Sequence, residues 1–207
     1  MIPATAVSLF GLAFLLRGEL HRDLGERVVG KVTASLGFLI VGLIGMPSST
    51  FGTMIALGLA LGVVGDIALL ARRGFLAGLV AFLLGHLHYV IAFAAVAPVA
   101  TWGSAAALVP IAAGLGALRW LWPHLGRLRL AVLAYIAAIT AMVIGALAVW
   151  RTEAIAHPTR MLVGTLLFFA SDLAVAREKF VVSSLGNRIV GLPLYYAGQL
   201  LIAWSIT

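Results

Sequence analysis

Residues 51–73 read FGTMIALGLALGVVGDIALLARR: twenty positions, 51–70, in which Asp66 is the only charge, and then Arg72 and Arg73 close together. A helix of about 20 apolar residues matches the thickness of a bilayer's hydrocarbon core. This stretch therefore reads as a membrane span with one acid inside it and a basic stop behind it. The rest of the 207-residue chain agrees, being 63% hydrophobic and only 10% charged, with a mean hydropathy of +1.13. A water-soluble domain of this size carries about 25% charged residues.

Working outward, the sequence predicts eight spans, at 2–16, 28–46, 51–70, 75–97, 102–122, 129–150, 161–176 and 189–206. The first is short and has no basic region ahead of it, so it is expected to be retained and not cleaved as a signal peptide. Basic residues test the count. The first, third, fifth and seventh connections hold twelve of the fourteen, among them Arg17, Arg22, Arg27 and Lys31, then Arg72 and Arg73, then Arg119, Arg127 and Arg129, then Arg177, Lys179 and Arg188. Only Arg151 and Arg160, in the sixth, fall on the other side. By the positive-inside rule the odd connections face the cytoplasm and both termini face away from it. The net charge of +7 is thus a topology signal, and no nucleic-acid partner is expected. Lys31 and Arg129 fall at predicted span ends, where long cationic side chains snorkel.

No connection exceeds about a dozen residues, so residues 1–207 read as a single polytopic α-helical membrane domain whose function must be built within the bundle. The absence of Cys excludes disulfides, thiolate metal sites and Cys nucleophiles. Pairs such as Gly58 with Gly62 read first as close helix packing.

Five of the seven acids lie in connections; Asp66 and Asp172 do not. Both sit near the cytoplasmic ends of their spans, the third and the seventh. A carboxylate there costs about 2 to 3 kcal/mol or more unless it faces a polar cavity or a partner. Each taken alone also reads as the partner of a nearby Arg or as a helix-end cap. Together, at matching depth, they predict a shared cavity. Gly65-Asp66-Ile67-Ala68-Leu69 resembles Ser171-Asp172-Leu173-Ala174-Val175, each followed by basic residues and then Phe75 or Phe180. That match, four spans apart, is compatible with a parallel repeat of four plus four helices.

Further polar groups fall in the fourth span, where His86 and Tyr89 share a face and His88 points elsewhere, and in the eighth, with Tyr195, Tyr196 and Gln199. Singly these read as interhelical hydrogen bonds or interface anchors. No His-Glu-x-x-His and no close His and acid pair on one helix face occurs, so no metal or other cofactor is expected. Nor is there a Gly-x-Ser-x-Gly elbow for a Ser nucleophile.

Asp66 after Gly65, the stretch Gly85-His86-Leu87-His88-Tyr89, then Ser171-Asp172 and the closing Tyr195-Tyr196 with Gln199 resemble the YhhN/TMEM86 family of lysoplasmalogenases, over about three quarters of the chain. One departure is Lys31-Val32, where that family has Lys-Pro. The resemblance implies eight helices and an ether hydrolase of lipid metabolism. Its substrate would be a lysoplasmalogen, whose vinyl ether bond is cleaved to a fatty aldehyde and glycerophosphocholine or glycerophosphoethanolamine. It implies Asp66 and Asp172 as catalytic acid and base, since crowded carboxyls divide their protons unequally. His86, Tyr89, Tyr195, Tyr196 and Gln199 would position glycerol and water, and Lys31 or Arg188 would hold phosphate. The partners expected are the lysophospholipid and membrane lipids, with no protein partner, and the location is a cell membrane, the inner one if the source is bacterial. A proton-coupled small-molecule or lipid transporter, with the Asp pair as relay, is the alternative.

Overall fold

The computed structural model describes residues 1–206. These form eight α-helices and no strand: α1 (Ile2–His21), α2 (Leu24–Gly45), α3 (Thr50–Leu70), α4 (Phe75–Val96), α5 (Leu108–Leu121), α6 (Arg129–Arg151), α7 (Pro158–Ala176) and α8 (Leu185–Trp204). Local chemistry sets several starts. Asp23 accepts the Glu26 amide at α2, Ser49 the Gly52 amide at α3 and Ser184 the Asn187 amide at α8, each satisfying a donor that the first turn leaves free. Pro3 and Pro158 stand in the first turns of α1 and α7, where a missing N–H is harmless.

Seven stretches are long and apolar enough to cross a membrane, α1 to α4, α6, α5 with its flanking turns and α7 with its extension. The protein is a multi-pass helical membrane protein. Its outer surface carries exposed Leu43, Ile44, Val64, Ile67, Leu84 and Ile91, a coat suited to acyl chains and ill suited to water. Helix α8 is long enough, at 20 residues, but Asn187, Arg188, Pro193 and Gln199 lower its hydropathy, and it is not among the seven.

Three sequence expectations shift. Helix α1 runs on to His21 and α2 begins at Leu24, so the first connection shrinks to a tight turn at Arg22 and Asp23, and its other charges sit on helix ends. Lys31 accordingly lies in the second turn of α2 and not at a span end. Residue 102 does not begin a helix: Trp102 folds back to donate its indole N–H to the Ala97 carbonyl at 2.9 Å, and α5 proper starts only at Leu108. Pro98, Gly103 and Ser104 interrupt the helical run there. Finally, α7 continues into a π-helical turn, Arg177–Val181.

Consecutive helices pair as hairpins, α1 with α2, α3 with α4, α5 with α6 and α7 with α8, while α2 meets α8 and α4 meets α6 across the bundle. Backbones approach closely in two of these hairpins. A methyl group at Gly11 would lie 2.4 Å from Ala34 N, and one at Gly164 2.9 Å from the Gly198 carbonyl, the small-residue packing expected between membrane helices. Phe38, Phe93, Phe168, Tyr89 and Tyr196 fill the centre.

The charged connections gather at one end. Arg188 and Arg27 both pair with Glu19. The Phe75 and Phe180 rings meet edge to face at 5.7 Å, and Phe180 also packs on the cluster of Leu121, Leu125 and Val132. Thus the first, third, fifth and seventh connections touch one another.

Candidate active site

A cavity of about 480 Å³ opens at that end. Its wall divides by chemistry. From α1, α2 and the start of α8 come Glu19, Arg27, Lys31 and Arg188, set among Leu15, Leu24 and Leu192; from α4 to α6 come Leu79, Phe82, Leu121, Val132, Ile136 and Ile139, with no charged side chain and Tyr135 as the polar one. Asp66, on α3, and Asp172, on α7, both line it.

Helix α3 places Asp66 one turn from its end, beside the second and third turns of α2. Residues 31 and 35 are four apart, so they present side chains on one face, and both reach the acid. Lys31 Nζ lies 3.0 Å from Oδ1 and Ser35 donates to Oδ2 at 2.7 Å. Asp66 is only 2% exposed, a burial that a carboxylate tolerates when a cation and a hydroxyl complete its hydrogen bonds. Of the sequence alternatives, pairing with a cation is the one realised, although the cation is Lys and comes from α2. The Tyr196 hydroxyl stands 3.2 Å from Ser35 Oγ.

Asp172 has different company. Tyr135, from α6, donates its hydroxyl to Oδ2 at 2.7 Å, and His86 Nε2, from α4, lies 3.7 Å from the same oxygen. The His86 ring is wholly buried between Phe168, at 4.8 Å, and Tyr135, at 5.0 Å. Neither of its nitrogens has a hydrogen-bond partner among the described residues. No lysine or arginine pairs with Asp172 there.

The remaining sequence candidates divide between wall and floor. Tyr195 lines the cavity, whereas Tyr89, Tyr196 and Gln199 are buried beneath it. Tyr89 donates to Gln199 Oε1 at 2.9 Å, and Gln199 Nε2 donates to the Tyr195 hydroxyl at 3.4 Å, so this relay ends at the cavity. Glycines of α3 make room for it. A methyl at Gly62 would sit 2.6 Å from Gln199 Nε2, and one at Gly58 2.3 Å from the Tyr89 ring. His88 turns away and bonds the Leu84 carbonyl. Arg188 lies at the mouth, 2.8 Å from Glu19 and 3.5 Å from Glu178.

Two residues at the acids escape the sequence reading, Ser35 and Tyr135. Each carried a signal: Ser35 stands one turn after Lys31, and Tyr135 is a lone phenol early in an apolar helix, at the depth of Asp172. No group of three or more His, Cys, Asp or Glu side chains suited to a metal occurs among the described residues.

Curated relatives include the lysoplasmalogenase of Mycobacterium tuberculosis (strain CDC 1551 / Oshkosh), 36% identical over 141 residues, or 62% of this chain and 49% of that protein. Lysoplasmalogenase TMEM86A of Bos taurus is 33% identical over 180 residues, covering 82% of this chain and 69% of its own. Lysoplasmalogenase TMEM86B of Sus scrofa is 32% identical over 156 residues, covering 70% and 59%. The chain spans about half the length of the mycobacterial relative. No solved structure matches it significantly. The YhhN family matches residues 27–206, nearly the whole bundle and every residue described at the two acids, and the chain belongs to that family.

Proposed function

We propose that the protein is a lysoplasmalogenase, hydrolysing the vinyl ether of a lysoplasmalogen within this cavity. The observation that carries the proposal is the division of the cavity wall, charged on one side and apolar on the other, with Asp66 and Asp172 both opening into it. A single-chain ether lipid has the same division. Its phosphorylated end fits the Glu19, Arg27 and Arg188 side, its hydrocarbon fits the α4 to α6 side, and the ether lies between.

The partners of the two acids distribute the work. Asp172, without a lysine or arginine counter-charge, is the proton donor: it protonates the vinyl carbon distal to the ether oxygen, and an oxocarbenium ion forms at the neighbouring carbon. Asp66, bonded by Lys31 and Ser35, keeps its negative charge, steadies the cation and takes a proton from the water that adds to it. The hemiacetal then collapses to a fatty aldehyde and a glycerophospho-alcohol, and the proton released from water restores the acid. The scheme parallels the carboxyl pair of glycosidases, with carbon in place of oxygen as the proton acceptor. Tyr135 orients Asp172, while His86 backs it, and the Tyr89–Gln199–Tyr195 relay fixes the inner wall.

In this reading all eight helices cross the membrane, the charged end faces the cytoplasm and both termini face away. The bundle is two four-helix halves related by a pseudo-twofold axis. Lys31 reaches Asp66 across 35 positions and Tyr135 reaches Asp172 across 37. The contact of α2 with α8 answers that of α4 with α6, and Phe75 meets its counterpart Phe180.

The test is reconstitution in lipid with a lysoplasmalogen and mass-spectrometric detection of aldehyde from wild type, Asp66→Asn and Asp172→Asn. Turnover by wild type and its loss in both variants is expected. Proton-dependent flux without substrate conversion would instead establish the transporter.

A further inference from the structure

The mouth of the cavity holds a group that the chemistry at the two aspartates does not use. Arg188 and Arg27 both approach Glu19 through Oε2, at 2.8 and 3.3 Å. The other oxygen, Oε1, has no hydrogen-bond partner among the described residues. On the far side Glu178 is tied into the turn after α7 by Ser183, the Ser184 amide and Asn187, at 2.6, 2.7 and 2.9 Å. Its Oε1 stands 3.5 Å from Arg188 Nε, an ionic contact in which that buried N–H makes no hydrogen bond. Arg188 thus keeps a buried N–H that makes no hydrogen bond, and it lines the cavity together with Glu19. A buried N–H left in this state costs free energy that an incoming oxygen anion recovers.

The mouth carries one more base than acid, with Glu19 and Glu178 set against Arg27, Lys179 and Arg188, while Asp66 is matched by Lys31 deeper in. A phosphate that takes Arg188 leaves Glu19 with Arg27 alone, at 3.3 Å, and an ammonium on the same ligand restores the partner that Glu19 gives up. Which cation suits Glu19 follows from the bond it replaces. The Arg188–Glu19 contact is an N–H···O bond, and a primary ammonium supplies N–H donors in kind. A quaternary ammonium has none and is held by aromatic faces. Here the Phe75 face is already covered by the Lys179 ammonium, 4.4 Å from the ring centroid.

We propose that Glu19 and Arg188 form a head-group subsite for a phosphoethanolamine lipid, Arg188 taking the phosphate and Glu19 the primary ammonium, in preference to phosphocholine. The proposal rests on the lysophospholipid reading above but is tested separately from it.

The experiment measures binding of saturated 1-acyl lysophospholipids, which have no vinyl ether to cleave, to the full chain in nanodiscs. The head group is varied from ethanolamine through its N-methyl and N,N-dimethyl forms to choline. Affinity should fall with each methyl, by about tenfold across the series. Glu19→Gln should flatten the series while its thermal melting stays near that of wild type, and Arg188→Lys should weaken every member. Soluble O-phosphoethanolamine should compete only at far higher concentration. Equal or tighter binding of the choline lipid, or an unchanged series in Glu19→Gln, overturns the proposal, and so does equal competition by soluble O-phosphoethanolamine, which would make the site one for a free metabolite. Should the Gln variant misfold, the wild-type methylation series decides alone. Discrimination without aldehyde release from plasmalogens would keep the subsite and discard the hydrolase; aldehyde release without discrimination would do the reverse.

Discussion

Asp66 and Asp172 stand one turn from the ends of parallel helices, in similar local sequence, yet the protein gives them opposite company. Asp66 faces a lysine and a serine from α2; Asp172 faces a phenol from α6 and a buried imidazole from α4. The positions correspond and the chemistry does not. Two carboxyls in identical settings would compete for the same proton, whereas the proposed mechanism gives separate tasks to the one with a fixed cation and the one without. The similar local sequence supplies a common place near the helix ends, and the side chains around each acid supply the distinction.

The sharpest way to break this comparison is at Asp172. Asp172→Asn should lower aldehyde release by about 10²- to 10⁴-fold, the range ascribed to a lost general acid, with its melting profile largely kept because an amide still accepts from Tyr135. Near-normal turnover would remove Asp172 from the chemistry. At Asp66 the larger effect is on the fold. Asp66→Asn and Lys31→Met, each leaving a buried charge alone, should cost about 3 to 5 kcal/mol, and the double variant should recover much of that without regaining activity. Additive losses in a denaturation cycle would show that the pair is not coupled. A smaller effect belongs to Tyr135→Phe, which deletes one hydrogen bond to Asp172. About 1.5 to 3 kcal/mol of barrier is at stake, read as a fall in kcat with little change in KM. Smallest should be Tyr89→Phe, under the floor, where losing the bond to Gln199 is expected to cost about 1 kcal/mol of stability and to leave turnover nearly intact. A large catalytic loss there would move the relay from support to chemistry.

Much of this was legible in the chain because a bilayer makes errors expensive. Apolar runs, the twelve-to-two split of basic residues and two acids left inside the spans fix helices, connections and candidate cavity by simple exclusion. What the chain conceals is partnership. Lys31 reads as a span-end cation so long as α2 is started at residue 28; only the tight turn at Arg22 and Asp23 shows that it is a second-turn residue facing α3. Ser35 and Tyr135 are hidden for another reason. A hydroxyl is cheap enough in a membrane helix to need no explanation, so nothing in composition marks which ones meet an acid. The break at Trp102 lies in local Gly, Ser and Pro, which hydropathy averaged over a span smooths away.

The ion pair between Lys31 and Asp66 has a further consequence, for how the protein enters its membrane. The two residues are 35 positions apart, on consecutive helices, so they emerge from the ribosome together, and the α2–α3 hairpin can pass into lipid with its buried charges already neutralised. The clasp between Glu19 and Arg188 spans 169 positions and can close only when the last helix arrives. The mouth of the cavity is therefore the final part to be built. A chain halted before α8 would hold its acids but have no rim, and should be recognised by membrane quality control as unfinished.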